Sequence, residues 1–245
     1  MIDIHSHILA EVDDGPKSWD TAVEMCRMSA ADGVEYMVAT PHANDRYHYD
    51  REYLAGIVQH LRGLIGNQLR VGLGCDFHLS YDNLQDALVR PHRYAIDETN
   101  YLLVELSNYG VPPQVTESLM QLRSKNLTPI LTHPERNPIL QKSMHRVLEW
   151  VQSGVVVQVT ASALTGQWGE TVQQNAEWLL RHQAVHVLAS DAHDTKQRVP
   201  GLSKARAAAA AIVGEDVAKA LVDDNPRAVV NNHELPYFPR PVMKN

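Results

Sequence analysis

The sequence predicts an α/β fold in which parallel strands close into a (β/α) barrel of the TIM type. Strand-like and helix-like runs alternate about seven times along 245 residues, with no Gly/Ser linker, internal repeat or low-complexity tract. Alternation of this kind builds a parallel sheet, either a closed barrel or an open doubly wound sheet. The glycine fingerprint of a dinucleotide site is missing after the first strand, which removes one reason for an open sheet. His, Asp or Glu stands at six of the seven predicted strand ends, where barrels collect their active sites.

The elements follow in order. Met1-Ile2-Asp3-Ile4-His5-Ser6-His7 alternates with period two and reads as a strand, so His5 and His7 share a face at its C-terminal end. The acidic turn Asp13-Asp14-Gly15 follows, and Ser18 or Asp20 caps a helix that Gly33 stops. Residues 35–40 form a buried strand ending in Pro41-His42, and a loop rich in Tyr, His, Asp and Arg runs from 43 to 50. A helix over 51–65 leads to a third strand over 69–77, with Asp76 near its end. Residues 80–100 are mixed and broken at Pro91. The fourth strand, 101–106, places Glu105 in an apolar run; a helix over 114–125 precedes the fifth strand, 128–134, which ends at His133. A helix over 143–153, a sixth strand over 155–160, a helix over 169–182 and a seventh strand ending at Asp191 come next. Residues 202–232 are helical, and residues 235–245 are an extended, proline-rich tail to a single domain covering 1–245.

A composition of 44% hydrophobic and 21% charged residues fits an ordinary globular protein. A net charge of −7 argues against a nucleic-acid partner, which calls for a basic surface. The opening strand does not read as a signal peptide, and no apolar run reaches the ~18 residues of a spanning helix. Cys26 and Cys75 form neither a disulfide framework nor a Cys-x-x-Cys motif. A cytoplasmic location without membrane insertion is expected.

The strand ends supply the chemistry. His5, His7, His42, His133 and His193 with Asp14, Asp76, Glu105 and Asp191 make nine candidate metal ligands. A lone buried His or carboxylate is most simply structural, but recurrence at strand after strand points to a metal site. Only the sixth strand ends without a strong ligand, offering Thr160 and Ser162. Nine ligands exceed the needs of one ion, so two or three divalent ions sharing carboxylates are expected. A mixed His/carboxylate shell without thiolate suits manganese, iron or zinc, and manganese is the ion expected. Adjacent ions of this kind serve hydrolysis of phosphate esters. Arg136, three residues after His133, can offer a bidentate contact to phosphate. Arg198 and Arg46 are weaker substrate-binding candidates, and Tyr47, Tyr49 and Tyr109 are candidates for an aromatic rim. Neither cysteine is followed by the Arg of a cysteine-phosphatase loop, since the sixth residue on is Asp32 or Tyr81.

With these motifs the chain resembles the polymerase-and-histidinol-phosphatase (PHP) superfamily. Within it, the chain is similar to bacterial tyrosine-protein phosphatases of capsule and exopolysaccharide synthesis. The resemblance runs from Met1 to about Asn232. It rests on Asp3-Ile4-His5-Ser6-His7, Asp13-Asp14-Gly15, Ala39-Thr40-Pro41-His42, His133-Pro134-Glu135-Arg136-Asn137 and Ser190-Asp191-Ala192-His193. It implies a distorted seven-stranded barrel (the PHP fold) with about three ions: one on His5, His7, Asp76 and Asp191, one on Asp76, Glu105 and His133, and one on Asp14, His42 and His193. It makes Arg136 the phosphate-binding arginine. The family pattern carries Glu where this chain has Asp76, one methylene shorter, and often His where it has Ala43.

The activity so implied is metal-dependent hydrolysis of phosphotyrosine by a hydroxide bridging two ions, with no cysteine nucleophile. The implied substrate is the tyrosine-rich tail of a membrane-associated bacterial tyrosine kinase. The phenolic leaving group, of pKa about 10, leaves more readily than a serine alkoxide. Alternatives are a small-molecule phosphomonoesterase such as a histidinol-phosphate phosphatase, a metal hydrolase acting on another bond, and a non-catalytic module.

Overall fold

The computed structural model describes residues 1–241, so 242–245 of the expected tail lie outside the described residues. Nine short parallel strands occupy the seven predicted strand positions. They are β1 (Ile2–Ser6), β2 (Tyr36–Ala39), β3 (His42–Ala43), β4 (Arg70–Leu73), β5 (Asp76–His78), β6 (Tyr101–Glu105), β7 (Thr128–Thr132), β8 (Val156–Thr160) and β9 (Val187–Ala189). They form two sheets, β1-β2-β4 and β3-β5-β6-β7-β8-β9, and every pairing is parallel.

The expected barrel is thus two sheets and not one continuous ladder. The second predicted strand breaks at Pro41, which has no N–H to give. The third breaks at Gly74-Cys75. Single hydrogen bonds cross both breaks: Gly74 N donates to Ala39 O at 2.8 Å and Asp76 N to Pro41 O at 3.2 Å. The first and last strands meet through one bridge, Ser6 with Ala192, and through Asp191 N to His5 O at 2.9 Å and His7 N to Ala192 O at 2.8 Å.

The main helices lie close to their predicted ranges. They are α1 (Trp19–Ala31), α2 (Arg51–Ile65), α3 (Tyr81–Val89), α4 (Gln114–Ser124), α5 (His145–Gln152), a short α6 (Ala161–Leu164), α7 (Glu170–Arg181), α8 (Ser203–Val213), α9 (Glu215–Lys219) and α10 (Asn225–Val230). Ser18 caps α1 and Asp50 caps α2 through side-chain oxygens that accept early backbone N–H groups. The helical stretch expected over 202–232 is three helices, divided at Gly214 and by a π-turn at Ala220–Asp224. Most buried apolar residues form the layer between strands and helices, including Leu102, Val104, Val157 and Val159. A smaller cluster of Ile2, Ile4, Val38, Leu103, Ile130 and Val156 fills the space between the strands. The polar site lies beyond that apolar plug, at the C-terminal strand ends. Asn225 holds the tail by accepting from Tyr237 N at 3.0 Å and donating to Tyr237 O at 2.6 Å.

Candidate metal centre

A bulge in β1 aims the first candidate ligand. Asp3 pairs with Met37 but Ser6 pairs with Ala39, so β1 carries one extra residue between these points. Such an insertion re-aims side chains beside active sites. Here Ile4 enters the apolar plug while His5, next to it, enters the polar cluster. Two candidate ligands sit on left-handed backbone: His133 at φ 34° just after β7, and Asp191 at φ 50° just after β9. Strained positions of this kind persist where the surroundings over-determine them, as at ligand sites.

The nine expected ligands converge. His5 Nε2 lies 3.5 Å from Asp76 Oδ2 and 3.4 Å from Asp191 Oδ1. His7 Nε2 lies 3.5 Å from Asp191 Oδ1. Asp14 Oδ1 lies 3.4 Å from His42 Nε2 and 3.3 Å from His193 Nε2. Glu105 reaches His42 and His133, each at 3.9 Å. Donor atoms fall within 4.8 Å of one another in four overlapping groups: His7-Asp14-His42-His193, His5-His7-Asp76, His5-His133-Asp191 and His42-Asp76-Glu105. Asp76, despite its shorter side chain, reaches His5 and His42, because β5 places it one strand from His42 in direct register.

The hydrogen bonds behind the cluster are equally ordered. His5 Nδ1 meets Gln158 Oε1 at 3.0 Å, His7 Nδ1 meets Asp13 Oδ2 at 2.6 Å, and His193 Nδ1 meets its neighbour Asp191 O at 3.0 Å. The Nε2 atoms of these same three rings are buried and have no hydrogen-bond partner, nor has either oxygen of Asp76. One nitrogen held and the other bare is how metal-ligating histidines are arranged. Orphaned buried groups of this kind are otherwise costly. Asp13 also accepts from Gly15 N at 2.9 Å and His42 N at 3.2 Å. Gly15 is required there: a Cβ would stand 2.5 Å from His7 O.

The charges are strongly coupled. Burial opposes ionisation of His5, but Asp191 and Asp76 outweigh it and raise its pKa to about 9. Burial likewise acts against His42, and the adjacent Asp14 and Asp76 carboxylates, 3.4 and 3.2 Å from its ring nitrogens, raise it to about 11. Asp76 and Asp191 are held well below the usual carboxylate range by the histidines despite burial. His133 is pushed well below the usual range by burial and then by the Arg136 guanidinium.

The arginines separate. Arg136 Nη1 pairs with Asp191 Oδ2 and lies 3.3 Å from Thr160 Oγ1. Glu135 is not its partner: that carboxyl is buried and accepts from Thr160 N at 2.9 Å. Arg198 Nη2 reaches the same Asp191 oxygen at 2.5 Å. Arg46 is exposed and stacks on Tyr47, outside the cluster. Of the expected aromatic rim only Tyr47 touches the site, stacked 6.0 Å from the His42 ring. Tyr49 is buried with its hydroxyl donating to Gly74 O, and Tyr109 is fully exposed away from any partner ring.

Sequence reading missed Asp13, Gln158, His78 and Trp168. Gln158 was visible as the one polar residue within Val155-Val156-Val157-Gln158-Val159. His78 stands two residues past Asp76 and lies 3.5 Å from Glu105. Trp168 packs under Arg136 with 3.9 Å from guanidinium carbon to ring centre. The strand without a ligand at its end therefore supplies groups that orient others: Gln158 to His5, Thr160 to Arg136 and, just beyond, Ser162 to Trp168.

Known proteins match along the whole described site. The family model for capsular polysaccharide synthesis proteins CpsB/CapC matches residues 1–231. The putative tyrosine-protein phosphatase CapC of Staphylococcus aureus is 30% identical over 204 residues, covering 81% of this chain and 79% of that protein. Tyrosine-protein phosphatase CpsB of Streptococcus pneumoniae is 28% identical over 239 residues, covering 94% and 98%. The solved structures of YwqE from Bacillus subtilis and CpsB from Streptococcus pneumoniae, described as unique metal-dependent tyrosine phosphatases, superpose with a TM-score of 0.91 at 26% identity, with full coverage of both chains. The chain belongs to the CpsB/CapC family of capsular polysaccharide synthesis proteins.

Proposed function

We propose that this chain is a metal-dependent protein-tyrosine phosphatase that removes phosphate from a bacterial tyrosine kinase of capsule or exopolysaccharide synthesis. The observation that carries this reading is the set of bare, buried Nε2 atoms on His5, His7 and His193, each ring fixed from behind through Nδ1. The names of the relatives supply the substrate class. Together with Asp14, His42, Asp76, Glu105, His133 and Asp191, these rings fit two to three divalent ions, manganese first, with iron or zinc as alternatives. His5, His7, Asp76 and Asp191 would hold one; Asp14, His42 and His193, with His7 alongside, a second. Glu105 and His133 would complete a third with Asp76, although the His133 donor also groups with His5 and Asp191. Ions so held supply Lewis acidity for water activation and neutralise phosphoryl charge.

The chain's own residues do the rest. Asp13 and Gln158 keep the protons of His7 and His5 on Nδ1, leaving each Nε2 lone pair free. Arg136 and Arg198 present guanidinium donors to the phosphate oxygens, as an electrostatic clamp. The cysteines take no part: burial raises the Cys26 thiol to about 12 and Cys75 well above its usual value. Beside Asp14 and His193 an open groove of about 420 Å³ is lined by Lys17 and Lys196. We also infer that both sheets and the Ser6–Ala192 bridge make one distorted seven-stranded barrel wall, within a single domain covering 1–245, and that the protein works in the cytoplasm on the tyrosine-rich kinase tail. No helix among the described residues is long and apolar enough to cross a membrane.

The test is phosphate release from phosphotyrosine peptide, phosphoserine peptide and histidinol phosphate, with chelator or with added manganese. The highest kcat/KM on phosphotyrosine peptide, abolished by chelation, is expected. A preference for histidinol phosphate, or full activity after chelation, contradicts the reading.

A further inference from the structure

Both arginines at the site rest on one indole. The Arg136 guanidinium carbon lies 3.9 Å from the Trp168 ring centre, and that of Arg198 lies 5.5 Å from it. Both guanidiniums also converge on a single atom, Asp191 Oδ2. Two cations brought to one point repel, so their pairing needs compensation. Asp191 provides part of it, and the negative face of an indole provides more.

Trp168 is itself well fixed. It sits in the turn between α6 and α7, flanked by Gly166 at φ 79° and Gly169 at φ 86°, conformations that disfavour side-chain-bearing residues. Its Nε1 donates to Ser162 Oγ at 2.8 Å. The adjacent Gln167 side chain donates to Gln197 O, tying this turn to the loop that carries Arg198. One rigid turn therefore governs both arginines, although they lie 62 residues apart in sequence.

We propose that Trp168 is a positioning residue that holds Arg136 and Arg198 together as one two-guanidinium clamp for the dianionic phosphate. The proposal rests on the phosphatase reading above. Trp168 is not one of the nine candidate ligands, and its Nε1 is spent on Ser162. Its removal loosens phosphate recognition and leaves the metal shell in place. Phenylalanine retains an aromatic face but loses the Nε1 tether, so it restores part of the function.

The test measures inorganic phosphate binding to manganese-loaded protein by calorimetry, KM and kcat on phosphotyrosine peptide, and bound manganese by elemental analysis. Trp168→Leu is expected to weaken phosphate binding and raise KM by about tenfold, the scale of a lost cation–π contact in a partly desolvated site. Manganese content stays unchanged, and Trp168→Phe regains part of the loss. Ser162→Ala, which frees the indole without removing it, gives an intermediate loss and serves should Trp168→Leu misfold. Wild-type phosphate affinity in Trp168→Leu or in Ser162→Ala, alongside weakened affinity in Arg136→Ala, overturns the role of Trp168 and leaves the phosphatase reading standing. Arginine-dependent phosphate binding without hydrolysis of phosphotyrosine removes the phosphatase reading, and the Trp168 variants still decide the clamp.

Discussion

Replacing Asp13 should weaken metal binding without removing any candidate ligand. Its Oδ2 accepts from His7 Nδ1 at 2.6 Å in a buried setting, and the same carboxylate takes the backbone N–H groups of Gly15 and His42. His7 holds the Asp13 pKa down to about 2 against the effect of burial, so the carboxylate is ionised at neutral pH. Asp13→Ala leaves Nδ1 without a partner and the ring free to turn away from Asp191. A charge-assisted hydrogen bond is worth about 1.5–3 kcal/mol, which corresponds to about a 10–150-fold change in affinity at 1.4 kcal/mol per decade. Loss of a group that orients a metal ligand falls in the same range, roughly 10–100-fold. Asp13→Asn keeps an acceptor oxygen and loses only the charge, so it should sit near the low end of that range. Competition with a fluorescent manganese chelator at constant pH measures both. Wild-type manganese affinity in both variants would refute the assignment of Asp13 as the residue that fixes His7.

Three further outcomes are expected. Arg136→Ala should lower kcat/KM on phosphotyrosine peptide by about 10²–10³-fold, the scale of one lost transition-state donor; an unaltered rate measured with normal manganese content removes Arg136 from the site. Gly15→Ala drives a Cβ to 2.5 Å from His7 O, and should destabilise the protein by about 1–3 kcal/mol in denaturant titration; unchanged stability would mean the turn relaxes freely. His186 is fully buried, and burial lowers its pKa to about 3. The unfolded chain therefore binds a proton below pH 6.5 that the folded chain refuses, and stability is lost as pH falls from 6.5 toward 3. Between pH 7.5 and 4.5 this amounts to about 3 kcal/mol, and His186→Phe in metal-free protein should shrink the pH dependence by that amount; an equal slope in both proteins contradicts it.

The sequence makes most of the candidate ligands legible because all but Asp14 stand at or just beyond the end of a short strand, where apolar runs and a following turn mark the place. His5 and His7 show the rule at its best, and Asp191-Ala192-His193 repeats it. What stands behind the ligands is harder to read. Gln158 meets His5 across 153 residues of chain, and no periodicity announces such a neighbour. The β1 bulge is equally silent: alternation alone sends Ile4 and His5 to opposite faces, whereas the extra residue brings His5 to the cluster and Ile4 to the apolar plug. The barrel wall was overdrawn for a local reason: Gly74-Cys75 reads as strand interior and Pro41 as a strand end, yet both interrupt the ladder. Trp168 lay in a Thr-Gly-Gln-Trp-Gly turn whose glycines signal a tight bend, but its use as a platform depends on two arginines from other loops.

The central claim is that the bare Nε2 atoms face divalent ions. Anomalous diffraction from crystals of the chelated protein soaked in manganese tests it most directly. At least two manganese peaks are predicted within about 2.0–2.4 Å of ligand atoms, drawn from His5, His7, Asp76, Asp191, Asp14, His42 and His193. A cleft without manganese peaks at saturating metal, with these side chains ordered as they stand here, would contradict the account.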